Sequence, residues 1–185
     1  MNRRPLLWMV VIFGAPLVGA FWLYYGSGWR PASSTRHGEL IEPVRTLPAL
    51  ALPGAPANAL TGKWTLLVVG TGEAGCDTPC RNTLVYARQT WLSLGRLSAR
   101  MQRLLLAGPG CCDEGYLHND HQGLAVARED SADGAAVLAA IPEPRAGYVF
   151  VVDPLGNLMM RYDVRQDPKG LRDDLKKLLE LSHIG

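Results

Sequence analysis

The residues best suited to chemistry are the four cysteines, which fall into two closely spaced pairs. Cys76 and Cys80 form a C-x-x-x-C motif, and Cys111 and Cys112 are adjacent. Thiolates attack disulfides and bind soft metal ions. The first pair can be a reversible disulfide, a copper or zinc clamp, or a structural bridge. Adjacent cysteines close only a strained ring, so we expect a structural or incidental use of the second pair.

Two histidines follow the second cysteine pair. His118 and His121 have an H-x-x-H spacing that is compatible with metal ligation. A polar His-Asn-Asp-His run is also typical of a solvated loop, and that is the default expectation. Ligation of a metal by these two side chains is the alternative.

The elements around the first pair predict where it must lie. Trp64 to Val69 is a short apolar, β-branched run typical of a buried strand, and Leu104 to Ala107 is a second one. Between them, apolar residues recur at helical spacing and predict an amphipathic helix that starts near Asp77 or Thr78, which can cap it, and frays after Gly95. Parallel strands joined by a helix form a right-handed unit, so both strands end at the same sheet edge. We expect the cysteines and histidines to collect there, with the helix N-terminus stabilising thiolates.

The remaining sequence predicts an α/β fold. After a loop over 108–123, a short helix over 135–141 is ended by prolines, and 148–152 and 158–162 form a hairpin across an Asp-Pro-Leu-Gly-Asn turn. A closing helix begins near Asp167-Pro168. This order predicts a thioredoxin-like mixed sheet flanked by helices.

The N-terminal segment predicts a membrane anchor over residues 1–28. Leu6 to Tyr25 contains no charged residue, and a helix of that length crosses a hydrocarbon layer of about 30 Å. Aromatic residues, among them Trp29, crowd its far end, as at a membrane interface. Arg3 and Arg4 precede it, which favours a cytoplasmic N-terminus and an exported domain. A cleaved signal peptide is the alternative, but the apolar run continues past the small residues at 19–20.

Composition divides the rest of the chain. Residues 29–62 are rich in Pro, Ala and Gly and predict a linker, within which Leu47 to Leu52 allows a short strand before Pro53-Gly54. Residues 63–185 then form one domain of ordinary length. The net charge of +2, with acids and bases interspersed, offers no basic stripe, so nucleic acid is not an expected partner.

Two segments resemble a known family. Gly62-Lys63-Trp64 and the following strand, then Cys76-Asp-Thr-Pro-Cys80, resemble the Sco/SenC group of thioredoxin-fold proteins, as does Tyr148 to Gly156. The chain, anchor included, is also similar to small membrane-anchored proteins associated with bacterial cytochrome oxidase assembly. The resemblance covers about residues 45 to 185.

The resemblance implies a single-pass protein of the bacterial inner membrane whose periplasmic domain assists cytochrome c oxidase assembly. It would deliver copper to the oxidase, or keep the cysteines of the oxidase copper centre reduced, through Cys76 and Cys80. This makes it a metallochaperone or thiol-redox assembly factor rather than a turnover enzyme. Its partners would be an oxidase subunit or another assembly factor, and membrane lipid through the anchor.

One family residue is absent. The family's histidine ligand lies eight residues before the turn aspartate, and in this sequence that position is Arg145. Two thiolates still suit Cu(I), whereas Cu(II) requires further nitrogen or oxygen ligands, so Cu(I) is the expected ion unless His118 or His121 substitutes. An arginine near the thiols would favour thiolates by its charge.

Two other functions remain open at this point. One is a general periplasmic thiol-disulfide oxidoreductase, although Gly147 stands where many thioredoxins have a cis-proline. The other is a degenerate thioredoxin-fold adaptor in which Cys76 and Cys80 form a permanent bridge.

Overall fold

The computed structural model describes residues 3–26, 36–54, 57–70, 76–167 and 169–185. The chain divides into two compact units, residues 1–35 and 36–185. The first unit contains helix α1 (Arg4–Tyr25), within which Trp8–Tyr25 has a mean hydropathy of 1.6 and no buried residue. By length and composition α1 is a candidate membrane span. Trp29 of the predicted aromatic belt lies outside the described residues.

The second unit is built on one mixed sheet of six strands in the order β1-β6-β5-β2-β3-β4. Strands β2, β3 and β4 are mutually parallel, whereas β5 is antiparallel to β2, and β6 is antiparallel to β5 and β1. The strand bounds are β1 (Glu39–Thr46), β2 (Trp64–Gly70), β3 (Met101–Ala107), β4 (Leu124–Arg128), β5 (Tyr148–Val152) and β6 (Asn157–Asp163).

Helices connect and cover these strands. Their bounds are α2 (Thr78–Ser93), α3 (Glu114–Asp120), α4 (Ala132–Ala140) and α5 (Gly170–Leu181), and a 3-10 helix at Gly95–Arg100 joins α2 to β3. Helix α2 begins where the Asp77 side chain accepts a hydrogen bond from the backbone N–H of Cys80 at 2.9 Å. Such a cap satisfies one of the donors that a helix start leaves free.

The core lies on both faces of the sheet, and β2 is therefore buried along its whole length. Side chains of a strand alternate in direction. Leu66 and Val68 therefore pack in one buried cluster with side chains of α2 and α5, and Leu67 and Val69 pack in another with Val137 of α4. Two covered faces explain why the strand sequence is apolar apart from Thr65 rather than alternating.

The observed architecture confirms the predicted thioredoxin-like class, and three elements differ from the sequence predictions. Strand β1 lies within the predicted linker, whereas the strand allowed over 47–52 does not form. The β1 sequence, ELIEPVRT, carries a proline and three charged residues, which a strand tolerates at the edge of a sheet. Helix α3 occupies part of the predicted loop over 108–123, and its sequence lacks an apolar period. Strand β4 was not predicted, because it is a short, partly exposed edge strand without a strong apolar pattern. Pro168, in the predicted start of α5, lies outside the described residues.

Candidate thiol site

All four cysteines of the chain meet at one edge of the sheet. Their Sγ atoms lie within 4.8 Å of one another, and we call this group the sulfur cluster. Cys76 is bonded to Cys80, with Cα atoms 5.2 Å apart, and Cys111 is bonded to Cys112. Parallel pairing of β2 with β3 brings the two pairs together, because one lies at the start of α2, after β2, and the other follows β3. The prediction that both pairs collect at one edge is confirmed.

The first pair is held by the start of α2. Cys80 lies in the first turn of the helix, and Cys76 lies just before the Asp77 cap. The Arg81 side chain donates from Nε to the carbonyl oxygen of Cys76 at 3.2 Å. Its guanidinium also lies over the Tyr116 ring of α3, 4.9 Å from the ring centre. The Arg81 guanidinium therefore places a positive charge beside the backbone of Cys76, next to the opposing charge of Asp77.

The second pair is held by the turn after β3. The backbone N–H of Cys111 donates to Gly108 at 3.1 Å, and the N–H of Gly108 donates to the carbonyl of Gly70 at 3.0 Å. The ends of β2 and β3 are thus tied together directly beneath the sulfur cluster. The loop carrying Cys111 therefore begins from a fixed point of the sheet.

Gly70, the last residue of β2, is a part of the site that sequence reasoning missed. A Cβ at this position would lie 3.1 Å from Sγ of Cys111 and 3.4 Å from Sγ of Cys80. Glycine therefore leaves the space into which one sulfur of each pair projects. The available signal was a glycine ending an otherwise bulky, fully buried strand.

Burial divides each cysteine pair into an inner and an outer sulfur. Cys80 is 6% exposed and Cys111 is 5% exposed, and both belong to the buried core cluster. Cys76 and Cys112 are half-buried and pack against that cluster from outside. Each pair is therefore accessible to a partner through one cysteine, while its second cysteine faces the protein interior.

The histidines do not join the sulfur cluster. Among the described residues, the one group of three or more potential ligands close enough to share a metal ion is the four cysteines. His121 is buried, and its Nε2 lies 2.8 Å from the Tyr116 hydroxyl. His118 is exposed and lines a surface depression with Leu117 and Val126. Ligation by His118 or His121 stays a prediction.

Arg145, which replaces the family histidine, is directed elsewhere. Its guanidinium donates to the carbonyl oxygens of Leu138 and Ile141 at 2.9–3.1 Å and pairs with Glu143. These carbonyls belong to the C-terminal end of α4, where helix carbonyls run short of backbone donors, although that of Leu138 also accepts from the N–H of Ile141 at 3.2 Å. Arg145 therefore caps α4. Its positive charge contacts these carbonyl oxygens and Glu143 rather than the thiols.

The buried His121 predicts a pH dependence of stability. Burial lowers the pKa of His121 below its usual value, and the charges of Arg103 and Arg88 lower it further, against a smaller effect of Asp120. The unfolded chain therefore binds more protons than the folded chain below about pH 6.5. The free energy of unfolding should fall as the pH drops through this range, with a slope of at most about 1.4 kcal/mol per pH unit.

Urea unfolding between pH 5 and 7.5 measures this dependence. A variant with His121→Gln keeps a polar group near Tyr116 and removes the titration, so its pH slope should be smaller than that of the wild type. Equal slopes in the two proteins would show that another group is responsible.

Comparisons with known proteins agree with this architecture. The family model described as "Transmembrane-like, thioredoxin-like, C-terminal domain" matches residues 64–182. The solution structure of apo Sco1 from Thermus thermophilus is 17% identical with a TM-score of 0.55, covering 80% of this chain and 98% of that one. Copper-bound ScoI from Arabidopsis thaliana is 16% identical with a TM-score of 0.51, covering 66% and 88%. No curated protein matches the sequence.

At such identities the likeness to solved structures concerns the fold, and it confirms the resemblance to Sco thioredoxin-fold proteins. The family model spans the sheet from β2 onward, both cysteine pairs and α5. The chain therefore belongs to the family of transmembrane-like, thioredoxin-like C-terminal domains.

Proposed function

We propose that this chain is a membrane-anchored accessory factor for cytochrome c oxidase assembly, acting through Cys76 and Cys80 by Cu(I) delivery or thiol-disulfide exchange. It would lie in the bacterial inner membrane with a cytoplasmic N-terminus and a periplasmic domain. The observation that carries the proposal is the C-x-x-x-C pair at the start of α2, with Cys76 half-buried and Cys80 buried.

The donor set favours Cu(I) as the cargo. Reduction of the Cys76–Cys80 bond presents two thiolates at the start of α2, and soft thiolates select Cu(I). The nitrogen and oxygen ligands that Cu(II) prefers are not supplied by Arg145, which caps α4. Copper-bound ScoI shares the fold, which supports copper as a cargo of this chain.

The same pair supports reduction of a partner disulfide. The Cys76 thiolate attacks one sulfur of the partner disulfide, and the other partner sulfur leaves as a thiolate and takes up a proton. Cys80 then attacks Cys76, so that the Cys76–Cys80 bond forms and the partner is released as a dithiol. A copper centre with cysteine ligands requires that reduced form before it accepts metal.

Competition for Cu(I) tests the proposal. The full chain in detergent, reduced and kept free of oxygen, is titrated against a chromophoric Cu(I) chelator. We expect Cu(I) binding by the wild type, and a loss of affinity greater than about 100-fold in Cys76→Ser/Cys80→Ser, since even supporting groups of a metal site cost 10–100-fold. Thr78→Ser, between the two cysteines, is the matched control and should bind like the wild type.

A parallel equilibration with reduced and oxidised dithiothreitol follows the Cys76–Cys80 bond by alkylation and mass spectrometry. A chain that neither competes for Cu(I) nor exchanges this bond would contradict the proposal. Reduction of insulin without Cu(I) binding would instead identify a general thiol-disulfide oxidoreductase.

A further inference from the structure

We propose that Cys111 and Cys112 form a second redox-active pair, which exchanges its disulfide with the Cys76–Cys80 pair inside one chain. The proposal rests on the thiol function of Cys76 and Cys80 and extends it to the adjacent cysteines, for which the sequence favoured a structural use. The carrying observation is that one sulfur from each pair projects into the same buried space.

That space lies above Gly70. A Cβ added at Gly70 would lie 3.4 Å from Sγ of Cys80 and 3.1 Å from Sγ of Cys111. Both sulfurs therefore lie next to the same backbone atom, the Cα of Gly70. The two sulfurs are within 4.8 Å of each other. A shift of less than about 2 Å is enough to bring a thiolate to the roughly 3–3.5 Å at which groups react.

The backbone around the two inner sulfurs is fixed from both sides. Cys80 donates its N–H to Asp77 at 2.9 Å within the α2 cap, and Cys111 donates its N–H to the turn at Gly108 at 3.1 Å. Both sulfurs are therefore held close together before any exchange, so the second step is intramolecular and has a high effective concentration.

The exchange balances within the chain. With Cys76 and Cys80 reduced by a partner dithiol, the Cys80 thiolate attacks Sγ of Cys111, the Cys111–Cys112 bond breaks, and Cys112 leaves as a thiolate that takes up a proton. Cys76 loses its proton and attacks Sγ of Cys80, so that the Cys80–Cys111 bond breaks, the Cys76–Cys80 bond forms, and Cys111 leaves as a thiolate that takes up the second proton. Two electrons and two protons have then moved from the first pair to the second, and the reverse sequence moves them back.

The exposure of the outer sulfurs gives this exchange a use. Cys76 and Cys112 are both half-buried, so each pair can be reached from outside through its own cysteine. A dithiol partner can then react with one pair and a disulfide partner with the other. The sulfur cluster as a whole holds four electrons rather than the two of a single C-x-x-x-C pair.

Trapping the connecting disulfide tests the proposal. The full chain carrying Cys76→Ser/Cys112→Ser retains only the inner cysteines, and under oxidised glutathione we expect an intramolecular Cys80–Cys111 bond in most molecules, read by non-reducing peptide mass mapping. Persistent thiols, glutathione adducts or crosslinked dimers in place of that bond would overturn the proposal.

The wild-type chain provides a second measurement that needs no variant to fold. The oxidised protein is mixed with one equivalent of dithiothreitol, quenched with acid over time, alkylated and mapped. We expect new thiols on both pairs, redistributing at a rate that stays constant when the protein concentration is varied tenfold. Thiols confined to Cys76 and Cys80, or a rate proportional to protein concentration, would overturn the proposal.

The two proposals fail differently. In Cys111→Ser/Cys112→Ser, the Cys76–Cys80 bond should still exchange with dithiothreitol, and Cu(I) should still bind. If this variant exchanges and binds Cu(I) while the Cys80–Cys111 bond never forms in Cys76→Ser/Cys112→Ser, only the proposal of a second redox pair is refuted. If Cys76 and Cys80 neither exchange nor bind Cu(I) in the wild type either, the proposed function is refuted as well.

Discussion

Under the proposed function, replacing Cys76 and Cys80 together by serine should reduce cytochrome c oxidase activity in cells to that of a strain lacking the chain. Both proposed reactions, Cu(I) transfer and partner reduction, need a thiolate at these positions, and a hydroxyl neither binds soft metals nor exchanges with disulfides. The measurement is oxidase activity and the haem and copper content of isolated membranes. The expected effect is loss of all the oxidase activity that depends on this chain, rather than a graded decrease.

Two controls separate this loss from misfolding. The variant chain should accumulate in membranes to the wild-type level, and Thr78→Ser should support normal oxidase. Excess copper in the growth medium discriminates between the two reactions, because it bypasses delivery but does not reduce a partner disulfide. Normal oxidase in the double variant would favour the adaptor function, in which the cysteines form a permanent bridge.

Gly134→Ala should destabilise the domain without any change in the thiol chemistry. Gly134 lies in the first turn of α4, where an added Cβ would overlap the carbonyl oxygen of Arg128 and lie 2.8 Å from its carbon. Those atoms are backbone and end β4, so they cannot rotate away. Overpacking of this kind costs about 3 kcal/mol, and the better helix propensity of alanine offsets about 1 kcal/mol.

The net loss of about 2 kcal/mol should lower Tm by about 4–8 °C for a domain of this size. Thermal unfolding followed by circular dichroism measures it. Gly19→Ala is the matched control, since Gly19 lies in helix α1 with no atom within 4 Å of an added Cβ, and the domain should melt like the wild type. An unchanged Tm in Gly134→Ala would show that α4 shifts away from β4 at no cost.

Local patterns in the sequence determined most of the fold. A continuously apolar run predicted the central strand β2, and YVFVV predicted β5 with its observed bounds, because a strand covered on both faces needs no polar positions. The α2 start followed from Asp77, whose cap depends only on residues within one turn. The order of strand, helix and strand also predicted that both cysteine pairs reach the same sheet edge.

Elements without such patterns were decided by tertiary contacts. Strand β1 carries charges and a proline, and it is a strand because β6 offers it an edge to pair with. Helix α3 begins where the Asp113 side chain accepts from Tyr116, and it packs through Tyr116 and Leu117 on the core rather than through a repeating apolar face. The cap at Asp113 is local, but neither the pairing of β1 with β6 nor the packing of α3 on the core is visible in the local sequence.

The same division holds for the candidate site. The sequence by itself determined which sulfurs exist and at which edge they lie, because spacing and strand order are properties of the chain. Only the tertiary structure decided that Cys80 and Cys111 share the space over Gly70 and that Arg145 donates its hydrogen bonds to the end of α4. Distances of a few ångströms between residues far apart in sequence depend on the packing of whole elements, which no local pattern encodes.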